Sequence, residues 1–194
     1  MTDELSITKQ ILRKENATIR KDAKSRHPNA AEICADRAEM IMALYAPSMV
    51  ATYWPIRTES DPIPLLQALM RLGADACLPV TPAEGQPLCF HLWDGQAALE
   101  EGPYGTKQPS SSLPVVYPDV ILAPLLAFDE GCWRLGYGGG FYDRTLAALE
   151  NKGHQAHVIG IAYDEQQVEQ VPKGLYDRAL SAILTPSRFI KGAL

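Results

Sequence analysis

Short apolar runs alternating with helix-patterned segments constrain this chain more than any other feature. Residues 49–53, 76–80, 88–92, 120–123, 157–162 and 182–184 are each three to six residues long and are bounded within two positions by Gly, Pro or polar residues. Runs of that length and bounding read as buried strands. Between them, Pro28-Asn29 with Glu32 three residues on gives an N-cap signal. Ile33, Met40, Ile41 and Leu44 then recur at helical spacing until Pro47. Asp61-Pro62 opens a second helix with Ile63, Leu66, Leu69 and Met70 on its inward face and Gly73 as its C-cap, and a third covers 145–150. The alternation predicts an α/β layered fold with a mostly parallel sheet, whose ligand sites lie beyond the C-terminal ends of the strands. At 194 residues the chain suits one domain, 1–194. Residues 102–118, with Ser110-Ser-Ser112 and several Pro and Gly, form a loop long enough to be functional.

Composition excludes several classes. With 46% hydrophobic and 21% charged residues the chain is not a disordered or fibrous one. Its longest apolar stretch, 120–128, is broken by Pro124 and falls short of the roughly 20 residues a membrane span needs. The start Met1-Thr-Asp-Glu-Leu5 lacks the basic and apolar regions of an export signal, so no membrane partner and a cytoplasmic location are expected. Cys34, Cys77, Cys89 and Cys132 have no CxxC spacing and read as free, buried thiols. The pairs Cys89/His91 and His154/His157 lack the further ligands of a zinc site. Charge is unevenly spread: residues 9–26 hold seven cations against two anions, while the whole chain is at −5 and the remainder therefore at −10. An acidic body disfavours nucleic acid, and the short basic helix suits a compact polyanion such as a nucleotide phosphate chain; the plain alternative is a solvated helix face.

The densest signal is Arg134-Leu-Gly-Tyr-Gly-Gly-Gly-Phe-Tyr-Asp-Arg144, with Gly136, Gly138, Gly139 and Gly140 just ahead of a helix. Successive backbone N–H groups there can form an anion-binding concavity, reinforced by the positive end of the helix. The spacing is not GxGxxG, because Phe141 stands where the third glycine would be, and no Lys-Ser/Thr pair follows as in a Walker loop. Asp143 either caps the helix or holds magnesium against phosphate. Arg134 and Arg144 either fork onto phosphates or form surface ion pairs. Tyr137, Phe141 and Tyr142 offer faces for a heterocycle or pack as core. The loop itself is either a phosphate cradle or a structural turn.

Together with Pro124-Leu-Leu-Ala-Phe-Asp129, this segment resembles the signature of the 5-formyltetrahydrofolate cyclo-ligase family. The resemblance extends to Cys77-Leu-Pro-Val80, to Gly160-Ile-Ala-Tyr163 with Gln166 and Pro172, and to Asp177 before Ile183-Leu-Thr185. It implies an ATP- and Mg2+-dependent closure of 5-formyltetrahydrofolate to 5,10-methenyltetrahydrofolate, with release of ADP and phosphate. The implied fold is like that of ribose-5-phosphate isomerase and CoA transferases, in a monomer or weak homodimer. Carried over, Arg134, Leu135, Gly136, Tyr137, Gly138, Gly139, Gly140, Phe141 and Tyr142 are the ATP loop, with residues 137–141 also lying against the folate. Asp143 and Asp177 become magnesium ligands, and Arg134, Tyr142 and Asp143 the catalytic candidates. Trp54 offers the pterin an aromatic face and Glu59 a carboxylate for its N–H donors. The family opens with Lys-x-x-Leu-Arg on its first helix, gripping ATP phosphate. Here Arg20 fits the later part but Asn16 occupies the lysine position, so either Lys14 substitutes or segment 9–13 is the matching one. Lysine, common within the family's glycine loop, is here Gly139. A folate- or nucleotide-binding protein on the same fold, without the ligase step, is the alternative.

Overall fold

Val120, Ile121, Leu122 and Ala123 are all buried, although successive side chains of a strand point to opposite faces. Their strand must therefore be covered on both sides, as parallel strands of α/β proteins are. The computed structural model describes residues 2–175 and 177–193. In chain order its elements are α1 (Thr2–Arg26), α2 (Ala30–Ala35), α3 (Ala38–Tyr45), β1 (Met49–Ala51), α4 (Ile63–Arg71), β2 (Asp75–Val80), β3 (Cys89–Trp93), β4 (Glu100–Glu101), β5 (Lys107–Gln108), β6 (Val115–Val116), β7 (Val120–Pro124), β8 (Ala127–Phe128), β9 (Arg134–Leu135), α5 (Phe141–Asn151), β10 (His157–Ile161), β11 (Ala182–Leu184) and β12 (Phe189–Lys191).

Eight strands form one sheet in the order β12-β11-β10-β7-β1-β2-β3-β6. The central run from β11 to β2 is parallel. β12 at one edge, and β3 then β6 at the other, pair antiparallel. The chain leaves β1 to add β2 on one side and returns to place β7 on the other. The crevice between the C-terminal ends of β1 and β7 is thus a topological switch point, the place where such sheets bind ligands. Alternate strand residues serve two cores. Val50, Val120, Leu122 and Ile159 pack with Ile41 of α3 and Leu65, Leu66 and Leu69 of α4. Ala51, Ile121, Ala123 and Val158 pack with Leu146 and Leu149 of α5 and with Phe128.

Three details differ from the sequence reading. The first amphipathic segment is two helices, α2 and α3, separated at Asp36 and Arg37, and Asn29 does not cap α2 through its side chain. Its backbone (φ −100°, ψ 15°) lies outside the extended region from which an N-cap side chain reaches the N–H groups ahead. The third helix starts at Phe141, four residues before Thr145, because Gly140 supplies the turn into it. The basic segment belongs to a helix of 25 residues, α1, with Leu12, Arg13, Asn16, Arg20 and Ala23 on the face turned to the protein. That face packs against β8 and the 3-10 turn Asp164–Gln166. None of the described helices is long and apolar enough to cross a membrane.

Candidate active site

The hairpin of β8 and β9 delivers the chain to a bend that must turn directly into α5. Gly138 (φ +100°) and Gly140 (φ +65°) take backbone conformations that side chains resist, which is why glycine stands there. Gly140 is the N-cap of α5 and supplies no side-chain cap, so the first N–H groups of that helix have no partner within it. A Cβ at Gly136 would meet nothing within 4 Å. Two arginines fix the bend: Arg13 Nε donates to the Gly136 carbonyl at 2.9 Å, and Arg144 Nη2 to that of Gly139 at 2.7 Å.

The bend forms one wall of a cavity of about 270 Å3, whose charged lining is Lys9, Arg13, Arg134 and Arg178 against Asp143 and Asp177. Four cations, two carboxylates and the amides at the start of α5 give it donors and positive charge of the kind a polyanion uses. Arg134 Nη2 donates to Asp143 Oδ1 at 2.7 Å and Nη1 to the Arg178 carbonyl at 3.1 Å. Asp143 therefore pairs with Arg134 and does not cap α5. Lys9 Nζ lies 2.5 Å from Asp177 Oδ2, which also accepts from Gly174 N–H at 2.7 Å. Burial works to raise the Asp177 carboxyl, but the Lys9 and Gly174 hydrogen bonds and the charges of Lys9 and Arg134 hold it below the usual range. Two carboxylates on one cavity fit magnesium, which keeps several waters and takes its remaining ligands from phosphate oxygens. Among the described residues no cluster of three or more metal-ligating side chains exists.

A second cavity, of about 360 Å3, adjoins the first and is lined mainly by Tyr53, Trp54, Ile56, Leu88 and Tyr104, with Glu59 inside it. Pro124, Tyr137, Gly139, Phe141 and Tyr142 border both cavities. Trp54 is held edge-on to Trp93, with ring centroids 6.5 Å apart, and Lys107 Nζ sits 5.6 Å from the Trp54 ring. Glu59 is 4% exposed and accepts the Ile56 N–H at 2.9 Å. Burial raises its carboxyl above the ordinary value, with Ile56 N–H, the Arg20 charge and the Tyr137 hydroxyl opposing. Burial, with Glu59 adding, also raises the Tyr142 hydroxyl. A lone acid in an aromatic pocket is suited to a flat heterocycle presenting N–H donors.

The structure gathers residues 134–143 with Asp177 on one cavity and Trp54 and Glu59 on the other; of the residues expected against both ligands, Tyr137, Gly139 and Phe141 border both cavities, whereas Gly138 and Gly140 line only the first. It separates two others. Lys14 is exposed and borders neither cavity, because it points away from the inward face of α1. Arg20 is 2% exposed and also borders neither; it is turned beneath the bend toward Tyr137. Asn16 is buried on the same face, its amide donating to the Leu12 carbonyl at 3.0 Å. Of the two N-terminal alternatives, Lys9 and Arg13 are the ones that line the first cavity, and Lys9-Gln-Ile-Leu-Arg13 itself reads Lys-x-x-Leu-Arg. Arg178, Tyr104 and Lys107 carried no individual signal; Tyr104 and Lys107 come from the long loop whose length marked it as functional. His91 and His154 each hydrogen-bond a backbone carbonyl, of Leu113 and Pro118.

Known proteins share this arrangement of sequence and fold. The 5-formyltetrahydrofolate cyclo-ligase of Escherichia coli K12 is 34% identical over 179 residues, which are 88% of this chain and 97% of that one. The enzyme of the same name from Mycolicibacterium smegmatis is 35% identical over 148 residues, 73% and 75% of the two chains. The solved structure of Aquifex aeolicus 5,10-methenyltetrahydrofolate synthetase matches with a TM-score of 0.74 and 26% identity, covering 94% of this chain and 92% of its own. That of a Mycoplasma pneumoniae 5,10-methenyltetrahydrofolate synthetase, at 21% identity and a TM-score of 0.71 over 92% and 98%, shares the fold. The sequence profile of the 5-formyltetrahydrofolate cyclo-ligase family matches residues 5–186, a span that includes every residue lining the two cavities, and the chain belongs to that family.

Proposed function

We propose that this protein closes 5-formyltetrahydrofolate to 5,10-methenyltetrahydrofolate in a reaction that needs ATP and Mg2+ and releases ADP and phosphate. The observation that carries the reading is the shared wall: a cationic cavity behind a glycine bend and an aromatic cavity with one buried acid meet at Tyr137, Gly139, Phe141 and Tyr142. A phosphate chain and a pterin bound one in each would meet at that wall. The names of the relatives supply the reaction that such a meeting serves.

A formamide oxygen is a poor leaving group, and bound ATP supplies the phosphoryl group that makes it a good one, with magnesium neutralising charge. For their part, the protein's residues bind and orient. The amides of 136–140 and the start of α5 receive phosphate oxygens, while Lys9, Arg13 and Arg134 neutralise them. Asp143 and Asp177 would hold magnesium. Glu59 accepts pterin N–H groups, Trp54 offers its ring face, and Phe141 and Tyr142 keep water from the junction. No covalent nucleophile is required, and catalysis is positioning plus charge stabilisation. A binding protein without turnover drew its support from Asn16 standing in the lysine position; Lys9 and Arg13 on the cavity wall meet that charge requirement without it.

The test is direct: protein, 5-formyltetrahydrofolate and Mg-ATP are mixed, and the absorbance of the methenyl product is followed together with ADP release. Product that accumulates only when ATP and Mg2+ are both present is expected. Tight folate binding with no product under any condition would overturn the enzyme reading in favour of the binding protein.

A further inference from the structure

Arg20 reaches neither cavity, yet its guanidinium bonds through all three nitrogens. Nε donates to Thr58 Oγ1 at 3.1 Å, Nη1 to the Leu125 carbonyl at 3.3 Å and Nη2 to the Tyr137 hydroxyl at 2.5 Å, with the guanidinium carbon 5.3 Å from the Tyr137 ring centroid. These partners belong to three different parts of the site. Thr58 directly precedes Glu59 in the arm that follows β1, Leu125 follows Pro124 at the end of β7, and Tyr137 lies inside the glycine bend. A buried guanidinium deprived of a partner is costly, so displacing any one of the three disturbs the other two. The other arginines on the bend do not do this: Arg13 bonds the Gly136 carbonyl and Arg144 the carbonyls of Gly139 and Gln86, and none of those bonds reaches the arm carrying Glu59.

We infer that Arg20 is a positioning residue that couples the two cavities, tying the bend on the nucleotide side to the arm that holds Glu59 on the folate side, so that filling either cavity favours filling the other. The inference rests on the functional reading above for the identity of the two ligands. Such coupling is a free energy shared by both sites and must be reciprocal. It is read without turnover by calorimetric titration of 5-formyltetrahydrofolate with and without Mg-ADP, and of Mg-ADP with and without the folate. In the wild type each ligand should tighten the other by about fivefold or more. Tyr137→Phe and Thr58→Val each delete one oxygen that Arg20 bonds and leave its other two partners in place. Arg20→Lys keeps the charge and loses the three-way fork. In all three the mutual tightening should fall below about twofold, while in Thr58→Val and Arg20→Lys, which alter no residue lining either cavity, the affinity for Mg-ADP alone stays within about threefold of wild type. A purely structural arginine would lower the melting temperature and both affinities but leave their ratio in place. Coupling that survives in Tyr137→Phe and Thr58→Val overturns the inference, as does wild-type protein that binds both ligands independently. Wild-type protein that binds neither overturns the functional reading, and the inference falls with it.

Discussion

Replacing Gly136 by alanine adds one methyl group at a position where a Cβ meets no atom within 4 Å and where the backbone is not left-handed. The folded protein therefore tolerates it, and the unfolded chain loses freedom, a stabilisation of about 0.4–1 kcal/mol. For a chain of this length that corresponds to a melting temperature raised by roughly 1–4 °C. The open space, however, is the cavity assigned to the triphosphate. A methyl group there holds phosphate off the bend and forfeits at least one charge-assisted hydrogen bond, about 1.5–3 kcal/mol. The KM for ATP should then rise roughly 10- to 150-fold, with the KM for folate little changed. Gly138→Ala is the control for strain. With φ at +100° it should cost about 1–3 kcal/mol and lower the melting temperature. Thermal melts, Mg-ADP titrations and steady-state kinetics on both variants separate the two effects. Gly136→Ala with normal folding and an ATP KM within twofold of wild type would refute the cradle.

Asp143→Asn keeps an acceptor for Arg134, whose other bond is to the Arg178 carbonyl, so the fold should persist. Turnover should drop by about 100-fold or more and half-activation should need more Mg2+; an unchanged magnesium titration removes Asp143 from the metal site. Glu59→Gln should raise the folate KM by about tenfold or more through loss of the charged acceptor. Because burial raises the Glu59 carboxyl, the native state binds its proton more tightly than the unfolded chain, and this residue's contribution to stability falls as pH rises through that window. The glutamine variant should accordingly melt higher than wild type at neutral pH, and folate affinity should lose its acid-side decline; a lower melting temperature would contradict the assignment. Lys9→Gln and Arg13→Gln should each raise the ATP KM about tenfold or more, whereas Lys14→Gln, altering a side chain outside both cavities, should leave it within about twofold.

What the sequence made legible was local. The parallel core followed from the alternation of short apolar runs such as 120–123 with helix-patterned segments. The bend at 136–140 followed from glycine itself, since positive φ at 138 and 140 excludes most other residues. The division of labour between carboxylates was not legible. Asp143 as cap and Asp143 as metal ligand predict the same spacing, and its pairing with Arg134 depends on how the β8–β9 hairpin abuts α5. Residues of the folate-sized cavity such as Tyr104 and Lys107 were missed individually for a similar reason. They come from a loop without periodicity, placed there by the short pairing of β4 with β5.

The N-terminal helix shows why counting charges could not assign its residues. Positions 9, 13, 16 and 20 are three or four apart and so share a face, but they sit at successive heights about 16 Å from first to last. Each height meets a different part of the site: Lys9 the Asp177 carboxylate, Arg13 the Gly136 carbonyl, Arg20 the arm and the bend together. Asn16 lies between two cations at 1% exposure, with its Oδ1 unpartnered. Asn16→Lys, which would place lysine where alignment with Arg20 asks for it, should therefore fail to improve ATP binding. It buries an ammonium between Arg13 and Arg20 on the helix face, a burden of several kcal/mol. A lower melting temperature with no fall in the ATP KM is expected. A variant that melts normally and binds ATP more tightly would mean that position 16, not 9 and 13, faces the phosphates, and the register of the whole helix over the site would have to be redrawn.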